Sequence, residues 1–205
     1  MSHMRRTLPN AITVARLGLA LAFFVVAGNL DTTDGADPSR AWTAVWIFVV
    51  AAVTDILDGY LARRWQVVTS FGRILDPVVD KVLVIGALVL LSAAPLAPAS
   101  RIVPWVVILV VTRELLVTTV RAVLEGQGIP FPADRFGKFK MFVQCVTVPF
   151  CLGAAAIPNL RQSISFVQWT DALVWLMVVV TAASALPCLS RATAALRQHG
   201  ARHSA

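Results

Sequence analysis

Six apolar runs, each close to twenty residues, take up most of this chain and leave few architectures open to it. They cover about 12–28, 41–62, 71–94, 102–124, 136–156 and 167–189. A helix needs roughly 20 apolar residues to cross about 30 Å of hydrocarbon. Inside lipid every backbone N–H and C=O must be bonded within the segment, which favours helices over open strands. The chain is 58% hydrophobic with a mean hydropathy of +0.75, against about 45–50% apolar residues in a soluble domain. The expected fold is therefore an all-α integral membrane protein, a six-transmembrane-helix bundle. Arg5-Arg6-Thr7-Leu8-Pro9-Asn10 precedes the first run as a short N-terminal interfacial segment. No internal repeat or second domain is visible. Residues 5–190 form one membrane domain and 191–205 a basic cytoplasmic tail. Met1-Ser2-His3-Met4 reads as an expression-tag remnant ahead of a native start at Met4. The first run has no A-x-A-like site before the acidic loop, so it reads as a span and not as a cleaved signal peptide.

The net charge is +7, from 18 Lys and Arg against 11 Asp and Glu. There is no basic run and no aromatic-basic interleaving, which argues against nucleic acid. Basic residues gather on alternate connections. Arg5 and Arg6 lie at the N-terminus, Arg63, Arg64 and Arg73 between runs two and three, and Arg121, Arg135, Lys138 and Lys140 between runs four and five; Arg191, Arg197 and Arg202 follow run six. The opposite connections hold only Arg40, Arg101 and Arg161. By the positive-inside rule both termini face the cytoplasm, in the cell membrane. Cys145, Cys151 and Cys188 lie in apolar sequence with no C-x-x-C spacing and read as small buried hydrophobes.

Ionisable residues inside spans are costly and normally face a partner or a cavity. Here they include Asp55, Asp58, Asp76, Asp80, Lys81, Arg113, Glu114 and Arg121. Four of the eleven acidic residues fall within positions 55–80. Asp55 and Asp58 are spaced i, i+3, and Asp76 and Asp80 i, i+4, so each pair shares a helix face. Four carboxylates in one volume repel each other unless cations are present. An all-oxygen donor set suits hard divalent ions such as Mg2+ or Mn2+. A salt-bridge network that merely locks the bundle is the bland alternative, and two helical aspartate pairs near one membrane face fit it poorly. Gly59 and Ala62 leave a small-residue slot on the same helix, Arg63 one turn beyond can meet a phosphate, and Gly72 clears space before Asp76. Together these suit a metal-bound pyrophosphate ligand at the membrane surface.

The pattern Asp55-x2-Asp58-Gly59-x2-Ala62-Arg63-x8-Gly72-x3-Asp76-x3-Asp80 resembles the signature of the CDP-alcohol phosphatidyltransferase family at every fixed position. The resemblance extends to six spans with cytoplasmic termini and so covers nearly the whole chain. It implies a metal-dependent transfer in which a hydroxyl attacks the β-phosphorus of a CDP-linked lipid and CMP leaves. It also implies two metal ions, one held by Asp55, Asp58 and Asp76 and a second held by or next to Asp55, Asp76 and Asp80. By the same resemblance Asp80 is the general base, Gly59, Arg63 and Thr69 contact the CDP part, and the protein is a homodimer. Asn10 and Thr13 are candidates for the cytidine end, with helix capping as their plain alternative.

The acceptor is read outside this stretch. Arg113 and Arg121 lie eight residues apart in run four, and Lys138 and Lys140 follow the next loop; together they can form a second anion site. The plain alternatives are that Arg113 pairs with Glu114 and that the lysines are ordinary positive flanks. A second anion site fits a phosphorylated acceptor. The R-E-x6-R pattern, the G-K-x-K…Q pattern and Leu8-Pro9-Asn10-Ala11-Ile12-Thr13 are similar to the phosphatidylglycerophosphate synthase branch. Met141 departs from it where a small hydroxyl residue is expected. That branch implies transfer of the phosphatidyl group of CDP-diacylglycerol to sn-glycerol 3-phosphate, as a CDP-diacylglycerol–glycerol-3-phosphate 3-phosphatidyltransferase. Inositol phosphate and phosphatidylglycerol are the rival acceptors. A divalent-cation carrier is the rival from another class, and it needs neither the small-residue slot nor Arg63.

Overall fold

A computed structural model describes the backbone of residues 2–30, 32, 37–65, 70–93, 95–129 and 135–203, and the side chains of 14–30, 32, 37–54, 78–79, 81–93, 95–129 and 136–194. Within these residues the chain is all-helical, with no strand. Six long helices are joined by two single-turn ones: α1 (Ser2–Gly28), α2 (Pro38–Trp65), α3 (Ser70–Ser92), α4 (Ala97–Ser100), α5 (Pro104–Gly126), α6 (Arg135–Ala156), α7 (Pro158–Arg161) and α8 (Ile164–His203). The long helices fall on the six apolar runs. Two boundaries differ from the expectation. The N-terminal segment is continuous with α1, with no break between them. The basic tail continues α8 as far as His203, because Ala, Leu, Arg and Gln there are good helix formers.

Local chemistry sets the helix starts. Asp37 accepts hydrogen bonds from the Ser39 backbone N–H at 2.9 Å and the Ser39 hydroxyl at 2.6 Å, capping α2 with Pro38 at its first position. The bond from the Ser39 hydroxyl holds the Asp37 carboxyl below its ordinary pKa. α4, α5 and α7 each have proline in the first two positions. Ser100, fully buried, donates to Leu91 O at 2.6 Å and accepts from the Ile102 N–H at 3.2 Å. It thereby holds the turn in which Arg101 adopts a left-handed φ of 65°.

The helices pack through small residues. α1 lies against α2 and α3, α6 against α8, α2 and α3, and α5 against α8 and α3. Ala20, Ala27, Ala44, Ala51 and Ala87 are buried at these crossings, where short side chains let backbones approach. Phe23 and Phe48 fill the space between them with ring centroids 5.4 Å apart.

The outer surface is apolar. Leu21, Val25, Trp46, Ile108, Leu115, Trp169, Val179 and Leu186 are all exposed. Large apolar side chains exposed in such number are consistent with a bundle solvated by lipid. Among the described residues Phe136–Ala156 and Ile164–Ala194 are each long and apolar enough to cross a membrane, and Val14–Gly28, Pro38–Thr54 and Lys81–Ser92 are shorter apolar helices.

The two ends of the bundle differ in chemistry. At one end, Arg161 donates to Thr32 O at 3.0 Å, and Arg101 grips Asp171 with two 2.6 Å bonds. Trp105 and Trp175 pack near that end at 6.2 Å. The other end holds the α5–α6 connection, and there the cationic residues collect around a cavity.

Candidate active site

Arg113 and Glu114 sit side by side in the middle of α5, where an unpaired charge would be costly. Their partners come from other helices. Arg113 donates from Nη1 to Glu114 Oε1 at 2.9 Å and from Nε to Ser184 Oγ of α8, also at 2.9 Å. Glu114 Oε1 also accepts from Lys140 Nζ of α6. Lys140 is only 5% exposed. One carboxylate thus answers two buried cations and ties α5 to α6 and, through Arg113, to α8. Gly137, at the start of α6, lies beside this network, and a β-carbon there would make only an ordinary contact with Arg113 Nη2, at 4.0 Å.

The network forms one wall of a cavity of about 540 Å³ between α3, α5, α6 and α8. Among the described residues Lys81, Arg113, Arg121, Lys138, Lys140 and Arg191 line it, against two carboxylates, Glu114 and Glu125. From α3, Lys81 Nζ donates to Thr118 Oγ1, and Thr118 in turn donates to the Glu114 backbone carbonyl at 2.7 Å. Two buried donors on the lining, Arg121 Nε and Gln144 Nε2, have no hydrogen-bond partner among the described residues. A buried donor left unmatched costs about 1–3 kcal/mol. An excess of cations together with unmatched donors makes this a site for a polar, anionic ligand.

All four residues expected to hold an acceptor phosphate, Arg113, Arg121, Lys138 and Lys140, line this one cavity. Arg113 does pair with Glu114, and it lines the cavity as well. Lys138 is exposed, as a flank would be, whereas Lys140 is buried and committed to Glu114.

The expected metal and CDP-lipid residues are placed by backbone only. Asp55, Asp58, Gly59, Ala62 and Arg63 lie on the last turns of α2, and Gly72, Asp76 and Asp80 on the first half of α3. Asn10 and Thr13 lie on α1. The side chains of all ten lie outside the described residues, and Thr69 lies outside them altogether. Both aspartate pairs lie within helices, at the i, i+3 and i, i+4 spacings of positions that share a helix face. That donor set fits hard divalent cations. Among the described residues no group of three His, Cys, Asp or Glu side chains is gathered.

Sequence reasoning did not single out Lys81, Thr118, Ser184 or Arg191 for this pocket. Lys81 carried a signal, as a cation inside an apolar run directly after Asp80. Ser184 carried none: it is one hydroxyl in a long apolar helix, and its partner Arg113 is 71 positions away.

A family model described as CDP-alcohol phosphatidyltransferase matches residues 6–186. Among curated proteins, the CDP-diacylglycerol–glycerol-3-phosphate 3-phosphatidyltransferase of Bacillus subtilis (strain 168) is 35% identical over 196 residues, covering 93% of this chain and 97% of the relative. A protein of the same name from Cereibacter sphaeroides is 30% identical, covering 83% of this chain and 76% of the relative. A cardiolipin synthase (CMP-forming) of Streptomyces coelicolor is 31% identical, covering 82% and 78%.

Proposed function

The chain belongs to the CDP-alcohol phosphatidyltransferase family, and we propose that it transfers the phosphatidyl group of CDP-diacylglycerol to sn-glycerol 3-phosphate, forming phosphatidylglycerophosphate and releasing CMP. The observation that carries the choice of acceptor is the cationic cavity itself. Its volume of about 540 Å³ and its six lining cations suit a small phosphorylated alcohol. Serine, with no net charge, or a neutral alcohol fits that excess of positive charge less well.

In this reading the protein is a six-span bundle of the cell membrane, with both termini and the site on the cytoplasmic side. The clustering of Lys and Arg at the cavity end supports that orientation. Residues 5–190 act as one catalytic domain, and the protein works as a homodimer. The slot at Gly59 and Ala62 admits the CDP group, and Arg63 answers its phosphate, with Gly72, Thr69, Asn10 and Thr13 completing the nucleotide side. Asp55, Asp58, Asp76 and Asp80 hold two Mg2+ or Mn2+ ions. When bound, these ions neutralise the pyrophosphate and the charge that grows on the departing CMP.

Arg113, Arg121, Lys138 and Lys140 hold the acceptor phosphate. Asp80 takes the proton from the attacking hydroxyl as the oxygen bonds to the β-phosphorus and the bond to CMP breaks. Lys81 follows Asp80 on α3 and reaches the cavity, so the acceptor pocket borders the helix that carries the base. The low-dielectric walls strengthen each of these interactions.

The Streptomyces coelicolor relative named cardiolipin synthase motivates a second reading, with phosphatidylglycerol as acceptor. One assay decides between them. The purified protein is given CDP-diacylglycerol with glycerol 3-phosphate, phosphatidylglycerol or inositol phosphate, and products are identified by mass spectrometry. Phosphatidylglycerophosphate as the main product is expected; consumption of only one of the other acceptors overturns the reading.

A further inference from the structure

We propose that Gln144 reads the secondary hydroxyl of the acceptor, and so sets which phosphorylated alcohol the cavity takes. This inference rests on the acceptor reading above. Gln144 is 2% exposed, yet it lines the cavity and its Nε2 has no partner among the described residues. A buried amide N–H without a partner is uncommon and calls for an occupant that supplies an acceptor.

The chemistry of the amide selects the part of the ligand it meets. Phosphate oxygens only accept, and cations on the described lining, Arg121 and Lys138 among them, already serve them. An alcohol both donates and accepts, and so does a carboxamide. The placement agrees. Lys140 and Gln144 are spaced i, i+4 on α6, so the amide lies one turn further into the bundle on the same helix face. Toward the mouth, Lys138 is exposed and Arg121 keeps an unmatched Nε. Further in, Arg113 and Lys140 are already answered by Glu114. A phosphate held nearer the mouth leaves the carbon chain pointing inward. Gln144 is the tenth residue of α6 and Asp80 the eleventh of α3. Both helices begin at the cavity end, so the two backbones stand at similar depth. The hydroxyl end of the acceptor then lies at the level of both.

The test compares sn-glycerol 3-phosphate with 3-hydroxypropyl phosphate, which keeps the phosphate and a primary hydroxyl but lacks the secondary one. Each is assayed with the wild-type protein and with Gln144→Met, an apolar side chain of similar length. The wild type is expected to favour glycerol 3-phosphate in kcat/KM by about tenfold or more, as for a buried donor left unpaired. In Gln144→Met the preference should shrink to within about twofold through loss on glycerol 3-phosphate, while the KM for CDP-diacylglycerol stays put. A wild type that turns over glycerol 3-phosphate without preferring it sinks the inference and leaves the acceptor reading standing, even if the variant does not fold. An unchanged preference in Gln144→Met also overturns it. An equal loss on both acceptors would assign Gln144 to the phosphate instead. A wild type that uses neither acceptor removes the acceptor reading itself.

Discussion

Arg113 and Ser184 stand 71 positions apart in the chain and are joined by a 2.9 Å hydrogen bond from Nε to Oγ. Ser184 spends its own proton on Thr181 O at 2.8 Å, so its oxygen is free to accept. The serine thereby fixes the plane of the guanidinium, while Glu114 takes Nη1. Ser184→Ala removes the acceptor and leaves an Arg113 N–H unmatched. Hydrogen bonds to charged groups are worth about 1.5–3 kcal/mol. The KM for glycerol 3-phosphate is expected to rise about tenfold, with the KM for CDP-diacylglycerol unchanged. Steady-state kinetics with each substrate varied in turn checks this; an equal rise in both would detach Arg113 from the acceptor.

Glu114 makes a different prediction, because it is the shared counter-charge of two buried cations. Glu114→Gln leaves Lys140 and Arg113 without it, and removing one partner of a buried pair costs about 3–5 kcal/mol. Thermal unfolding in detergent should show a marked loss of stability. Lys140→Met in the Glu114→Gln background removes one stranded cation, and part of the stability should return. The two single variants and the double variant form a cycle whose coupling is expected at about 1–3 kcal/mol. Additive losses would mean that the pair is not coupled in the folded bundle.

These two networks mark where the sequence stops being readable. The six long helices follow from apolar run length, and the convergence of Arg113, Arg121, Lys138 and Lys140 follows from charge that cannot stay alone inside a span. The prolines at 98 and 158 announce chain breaks, but not that a helical turn forms at each; that depends on packing against α6 and α8. Ser184 was silent for a simpler reason. A serine in an apolar helix can satisfy itself on a carbonyl of its own preceding turn, as Ser184 does on Thr181 O, so nothing local announces a partner far away in sequence. The helix α8 runs on past the apolar span that ends near Leu189, because hydropathy falls there while helix propensity does not.

Packing gives a prediction independent of catalysis. A β-carbon at Gly86 of α3 would run into the ring of Phe24 on α1. Gly86→Leu is therefore expected to destabilise the bundle by about 1–3 kcal/mol through overpacking. Gly18 on α1 has open space around it, and Gly18→Ala should stay within about 0.5 kcal/mol of the wild type. Unfolding temperatures of the two variants in one detergent test the contrast. Equal effects would mean that α1 and α3 do not approach as closely as Gly86 allows.

The carboxylate-rich stretch predicts a metal response with two readouts. If the aspartates on α2 and α3 share one site, then without divalent cations they would repel each other or take up protons. Treatment with a chelator should abolish transfer, and Mg2+ or Mn2+ should restore it. Added Mg2+ should also raise the unfolding temperature of the resting protein, since a ligand that binds only the folded state stabilises it by mass action. Asp55→Asn should blunt that rise. A rise of the same size in this variant would place the cation elsewhere in the bundle.

Asp80 separates binding from chemistry. If it takes the proton from the attacking hydroxyl, then Asp80→Asn keeps the size and polarity of the side chain but cannot act as a base. Loss of a positioned base costs about 10²–10⁴ in rate. The expected result is a kcat lowered by at least about a hundredfold, with CDP-diacylglycerol still bound and some Mg2+ binding retained through Asp55, Asp58 and Asp76. Equilibrium binding of the CDP-lipid, measured beside turnover, distinguishes this from a metal-site defect. A pure ligand role would weaken cation binding and CDP-lipid binding in step with the rate. Near-normal turnover would move the base to another residue. The cavity narrows that search, since Glu114 and Glu125 are the only carboxylates among its described lining, and Glu114 is already held by Arg113 and Lys140.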